Sequence, residues 1–118
     1  MRVLDGEKQL VRIFIGESDK WRHLPLSRAL LERLRKEGFA GATVVRAVAG
    51  FGASSIIRTA HIVDLSSDLP IVIEVVDDEE HVERLLPILD EMLNGGLVTI
   101  EKVRVLRYAP RKGDDAAK

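Results

Sequence analysis

The spacing of apolar residues switches between strand-like and helix-like along this chain. Gln9 to Glu17 (QLVRIFIGE) is dense in β-branched and aromatic side chains and predicts a first strand. From Pro25 to Glu37 the period lengthens: Leu26, Leu30 and Leu34 recur every fourth residue, with Ala29 and Leu31 widening the stripe. This predicts a helix, opened by a proline suited to a first turn and closed by Gly38 and Gly41. Thr43 to Ala49 (TVVRAVA) and Ile71 to Val76 (IVIEVV) predict the second and third strands. The third is apolar on both alternating faces, as a central strand is. A second helix is predicted over Asp78 to Leu93, with a buried stripe of Val82, Leu85, Leu86, Leu89 and Leu93. Asp77 and Glu80 can form a capping box at its start, and Pro87 should kink it or weaken its first half. Asn94, Gly95 and Gly96 end it, and Val98 to Leu106 (VTIEKVRVL) predicts the last strand.

The resulting order is β-α-β-β-α-β, two strand–helix–strand halves with glycine after each helix. Two such halves interlock most simply as one antiparallel four-stranded sheet, order 4-1-3-2, with both helices on one face. This is the ferredoxin-like arrangement of the α+β class. The other face is then open. Alternation gathers Val11, Ile13 and Ile15, then Ile71, Ile73 and Val75, then Val103 and Val105 into apolar sets that should face the helices. The opposing set holds Leu10, Phe14, Val72, Val76 and Ile100 among Arg12, Glu74, Lys102 and Arg104. It is too apolar for open water, which predicts self-association, or cover by the loop or tail.

Length and composition suit one domain: 118 residues, 46% hydrophobic and 31% charged. It should span residues 1–108, with 109–118 a disordered tail, because Arg111 to Lys118 (RKGDDAAK) has no large apolar side chain. Lys and Arg number 18 against 19 acids, a net charge of −1 that gives no overall attraction for nucleic acid or an anionic membrane. The absence of cysteine excludes disulfides and thiolate chemistry. No apolar run nears the ~20 residues that span a bilayer, and the charged start is unlike a secretion signal, so a cytoplasmic location is expected.

Gly50 to Pro70 (GFGASSIIRTAHIVDLSSDLP) joins the second and third strands. A connection of that length, about twenty residues, is uncommon in a compact domain and tends to carry function. Within it, Arg58 to Leu65 can extend as a strand. The stretches IGESDKW (Ile15 to Trp21), GATVVRAVAGFGASS (Gly41 to Ser55), DLPIVIEVVDDEE (Asp68 to Glu80) and LPILDEMLNGGLVTIEKVRVLRY (Leu86 to Tyr108) together resemble the uncharacterised PII-like proteins, a family of unknown function. Ala47 departs from the glycine expected before the GFG element. The resemblance implies a ferredoxin-like homotrimer similar to PII and CutA-type proteins. It implies that the loop after the second strand contacts a target protein. It also implies that an adenine nucleotide (ATP, ADP or AMP) sits in the cleft between subunits. Its phosphates would be held by backbone amides at the loop base and by basic residues late in the domain. The frequent placement of such genes near fluoride-channel genes implies a membrane transport protein as target.

On that basis the ligand-binding residues are Gly50, Phe51, Gly52, Ser54, Ser55 and Arg58 on the loop, with Lys102, Arg104 and Arg107 on the last strand. The glycines let backbone amides close on a phosphate, or merely turn the chain out of the strand. Ser54 and Ser55 can donate to an anion or solvate the loop. The basic row can neutralise a phosphate, or Lys102 and Arg104 can pair with Glu74 or Glu17 across the sheet. Trp21 and Phe51 can stack on a base or simply pack. His23, His61 and His81 are scattered, so no metal site is expected, and His81 should be a solvated surface residue. Asp77, Asp78, Glu79 and Glu80 read as helix capping rather than as paired catalytic carboxylates. No GxSxG, P-loop, HExxH or GxGxxG pattern occurs. The expectation is a ligand-sensing regulatory protein, not an enzyme. The alternatives are a small-molecule enzyme on the same fold, using His61 with Asp64 or Asp68, and a ligand-free oligomeric scaffold.

Overall fold

The computed structural model describes residues 2–52, 58–59 and 68–111. Its main elements are β1 (Leu4–Gly16), α1 (Leu26–Lys36), β2 (Thr43–Arg46), β3 (Pro70–Asp77), α2 (Glu79–Met92) and β4 (Leu97–Tyr108). The sheet order is β2-β3-β1-β4, every pairing antiparallel. Read from the other edge this is the predicted 4-1-3-2, with the doubly apolar third strand inside. Two short ladders stand apart: Lys20–Trp21 with Leu24–Pro25, and Ala49–Gly50 with Arg58–Thr59. Residues 60–65 of the strand expected from Arg58, and residues 112–118 of the tail, lie outside the described residues.

The apolar sets of β1 and β3 pack under the helices as alternation predicts. Val11, Ile13, Ile73 and Val75 are fully buried against Leu30 and Leu34 of α1 and Leu85 of α2. α2 departs from the expected stripe. It buries Val82, Leu85, Ile88, Leu89 and Met92, while Leu86 is 43% exposed. At about 100° per residue the buried face centres near Leu85, with Ile88 and Leu89 on either side of it, and Leu86 falls beyond its edge. α2 continues through Pro87, which lies on the exposed side. Its N-cap is Asp78, whose side chain accepts from the His81 amide at 2.8 Å, not Asp77.

β1 and β4 correct two further expectations. β1 begins at Leu4 rather than Gln9 and carries an irregularity at Gly6, with φ +81. In β4, Ile100 lies opposite Val11 and Lys102 opposite Gln9, so they take the helix side. Val103, opposite Lys8, and Val105, opposite Gly6, take the open face instead. The apolar alternation of β4 changes phase after Ile100. Only its first half lies near the helices, where Val98 joins the core, so that half sets the register. The open face centres on Arg12, which bonds Glu74 at 2.9 Å and also Glu101. Around this triad stand half-buried Leu10, Phe14, Val72 and Val76, with exposed Val45 and Leu97.

Candidate functional site

Where β1 ends and β3 and β4 begin, the chain leaves a cavity of about 500 Å³. Its walls are Phe14 to Gly16, Phe51 and Gly52 at the root of the long loop, Asp68 and Pro70 ahead of β3, and the turn Asn94–Leu97, with Asp19 beside them. Two glycines make this packing possible. A Cβ on Gly16 would lie 2.7 Å from Asp68 Oδ1, so glycine lets that carboxylate rest against β1. Gly96 has φ +93, and a Cβ there would lie 2.8 Å from the Phe14 carbonyl oxygen. The turn after α2 can therefore cross close over β1.

The acids are held by backbone. Asp68 Oδ1 accepts from the Ser18 amide at 2.8 Å, and Asp19 Oδ2 from the Gly16 amide at 2.9 Å. The charged residues lining the cavity are these two aspartates, and no lysine or arginine lines it among the described residues. Among the described residues, an anion would find no counter-charge in the cavity wall.

The structure divides the sequence-predicted site. Phe51 and Gly52 line the cavity, with Phe51 67% exposed. Gly50 stands behind them: it pairs with Arg58, and a Cβ on it would meet the Pro70 ring at 3.0 Å. The positive φ there and the close approach to Pro70 both suit glycine. Arg58 is thus at the loop root by its backbone, while Ser54 and Ser55 lie outside the described residues. Lys102, Arg104 and Arg107 are exposed on the far half of β4. Arg104 is seven residues beyond Leu97, roughly 23 Å at the usual rise of a strand, so one chain does not bring the two groups together. The basic row does not pair with Glu74 or Glu17 either. Arg12 holds Glu74, Arg46 holds Glu17, and Lys102 is 3.8 Å from Glu7. Of the suggested acid–base pair, His61 and Asp64 lie outside the described residues, and Asp68 bonds a backbone amide. Trp21 is half-buried and packs against the core, with Arg22 over its ring at 4.9 Å.

Asp19 and the Asn94–Gly96 turn escaped the sequence reading as site residues, and Asp68 was singled out only as an acid–base partner for His61, not as a wall of this cavity. Asn94-Gly95-Gly96 was legible only as a helix stop, and nothing in the sequence alone places it beside the GFG element.

The opposite end of the sheet holds a second polar cluster. Asp77 is fully buried at the end of β3. Arg2 grips it with both prongs, Nη1 to Oδ1 at 2.7 Å and Nη2 to Oδ2 at 2.9 Å. The amides of Ala40 and Asp78 each add a bond of 2.8 Å. Burial pushes the Asp77 carboxyl up, but Arg2 and the two amides outweigh it and hold it below the usual carboxylate range. Asp77, Asp78 and His81 bring three potential ligand atoms within 4.8 Å of one another. Arg2 Nη1 already contacts all three residues, so the positive charge there is the protein's own. His81 is not solvated: its side chain is 18% exposed, bonds Asp78, and meets the Phe39 ring edge-on at 5.6 Å.

Among the described residues, no helix is long and apolar enough to cross a membrane. The fold is shared with PII-like proteins. CPII from Thiomonas intermedia K12, solved bound to ADP and bicarbonate, superposes with a TM-score of 0.60 at 21% identity, covering 88% of this chain and 91% of that one. A putative PII-like signalling protein from Thermus thermophilus gives 0.61 at 24% identity over 98% of each chain. In sequence, a UPF0166 protein of Aquifex aeolicus is 42% identical over 106 residues, 90% of this chain and 98% of that protein. One from Methanocaldococcus jannaschii is 34% identical over 100 residues, 84% of this chain and 92% of its own length. The profile of DUF190, described as an uncharacterised ACR, matches residues 8–105. The chain belongs to the DUF190 family.

Proposed function

We propose that this protein is a cytoplasmic PII-like regulator that binds an adenine nucleotide at the cavity and signals through the loop spanning Gly50 to Pro70. It acts by binding rather than by catalysis. The observation that carries this reading is the cavity itself, because it opens at the root of the long loop and is walled by Phe51 and Gly52. A ligand there touches the segment whose shape a target protein would sense. Phe14 and Phe51 offer apolar surface to a base. Asp19 and Asp68 accept hydrogen bonds, so they suit the donors of a nucleoside, its ribose hydroxyls or exocyclic amine. Phosphates are repelled by the same carboxylates and need cations from elsewhere. In this reading Lys102, Arg104 and Arg107 of a neighbouring copy supply them, with Arg58 on the loop, and Ser54 and Ser55 add hydroxyl donors. The ADP named for the Thiomonas CPII structure supports the ligand class.

The neighbour is a second copy packed on the open sheet face, and three copies close the assembly. Arg12 finds its counter-charges in Glu74 and Glu101 of its own chain, so the apolar ring around it can be covered without orphaning a cation. Phe14→Asp or Val72→Asp should dissociate the assembly, since an unpartnered buried charge costs on the order of 3–5 kcal/mol. A monomer mass for wild type in light scattering at micromolar concentration would refute self-association. A membrane transport protein is the target class that the family's gene neighbourhood favours. The ligand is tested by thermal shift with AMP, ADP and ATP, where a specific nucleotide raises the melting temperature by mass action. No shift at millimolar nucleotide limits the PII analogy to the fold.

A further inference from the structure

The polar cluster around Asp77 ties together four separate parts of the chain. Arg2, ahead of β1, bonds both oxygens of Asp77 and also the Gly38 carbonyl at 2.9 Å. The Ala40 amide bonds Asp77, and the Tyr108 hydroxyl donates to the Ala40 carbonyl. Tyr108 lies opposite Leu4 in the β1–β4 ladder. The start of β1, the end of β3, the turn after α1 and the end of β4 therefore meet in one clasp.

The clasp holds a piece of sheet whose other cover is thin: Leu4 is buried at its tip, and Val103, Val105 and Tyr108 are half-buried. Asp5, Gly6 and Glu7 of β1 are exposed, as are Arg104, Leu106 and Arg107 of β4, with Leu106 81% exposed. A two-stranded extension with so little apolar cover frays more readily unless its end is fixed. This extension carries Arg104 and Arg107. We propose that Arg2 is a positioning residue for the nucleotide site: by pinning the β1–β4 extension to Asp77, it sets where Arg104 and Arg107 stand when they reach a neighbour's cavity. The inference rests on the nucleotide reading above for its consequence, and on the clasp geometry for its cause. Arg2 touches no cavity wall, and its effect on binding passes through β4.

The test compares wild type, Arg2→Ala and Arg2→Lys by amide hydrogen exchange without ligand and by calorimetric titration with ADP. Both are run well below the melting temperature of each variant. Arg2→Ala should speed exchange in residues 4–7 and 104–108 by about tenfold or more, and leave 94–97 unchanged. It should weaken ADP binding by about tenfold. Arg2→Lys keeps the charge but loses the two-pronged fit, and should fall between. Unchanged exchange at 104–108 in Arg2→Ala overturns the clasp as a positioning device. Faster exchange with unchanged ADP affinity overturns its link to the site. If wild type binds no ADP, the nucleotide reading fails by itself, and the exchange data alone decide whether the clasp orders the extension.

Discussion

At one end of the sheet Asp77 is buried, and each of its oxygens has two partners: Arg2 and the Asp78 amide on Oδ1, Arg2 and the Ala40 amide on Oδ2. At the other end Asp68 and Asp19 each engage one oxygen with a backbone amide, and the second has no partner among the described residues. The same residue type thus meets two fates. A saturated carboxylate fixes the fold, because little acceptor capacity is left for anything new. A half-used carboxylate facing a cavity of about 500 Å³, beside an exposed phenylalanine, has capacity to bind.

The comparison breaks most readily at Asp77. Asp77→Ala strands Arg2 and two amides, and should cost about 3 kcal/mol, the low end for a broken buried pair because Arg2 is 33% exposed and can rehydrate. Denaturant titration reads this directly, and a loss under about 1 kcal/mol would mean the clasp is ornamental to stability. Gly96→Ala acts at the other end. It forces a non-glycine residue to φ +93 and a Cβ against the Phe14 carbonyl, at a cost of about 1–3 kcal/mol. It should deform the cavity wall as well as lower the melting temperature.

Acid sharpens the contrast at intermediate size. The folded pKa of Asp77 lies below its unfolded value of about 3.9, so its contribution is complete above that pH and fades as pH falls towards the folded value. Asp78 is shifted the same way: burial pushes it up, while the amide and side chain of His81 pull it down further. Stability measured from pH 6 to pH 2 should therefore drop below about pH 4, and drop less in Asp77→Asn. A parallel decline in both proteins would assign acid sensitivity elsewhere. The smallest effect on folding is expected of Phe51→Ala. Phe51 is 67% exposed, so stability should stay within about 0.5 kcal/mol of wild type, while nucleotide affinity falls.

Much of the fold was legible in the sequence because its signals are local and redundant. Val11, Ile13 and Ile15 alternate, Leu26, Leu30 and Leu34 step by four, and the apolar run Ile71 to Val76 belongs inside a sheet. β4 was read in the wrong phase because its apolar positions change face after Ile100, and only the register against Val11 decides between them. The site was half legible. Phe51 and Gly52 stood out as a loop root, but Asp19, Asp68 and Gly96 reach the cavity only through tertiary approach. Gly16 illustrates this: its need for glycine comes from Asp68, far along the chain. Arg2 was invisible for the same reason, since a charged residue before the first strand gives no sign that a buried aspartate awaits it.

The most direct measurement is a calorimetric titration of ADP into wild type and Gly52→Val. Gly52 is a cavity wall at the loop root, away from the hydrophobic core. The expected result is saturable binding to wild type at sub-millimolar ADP, weakened by about tenfold or more in Gly52→Val, with both proteins folded. Equal affinity in the two proteins, or no binding to wild type at millimolar ADP, would contradict it.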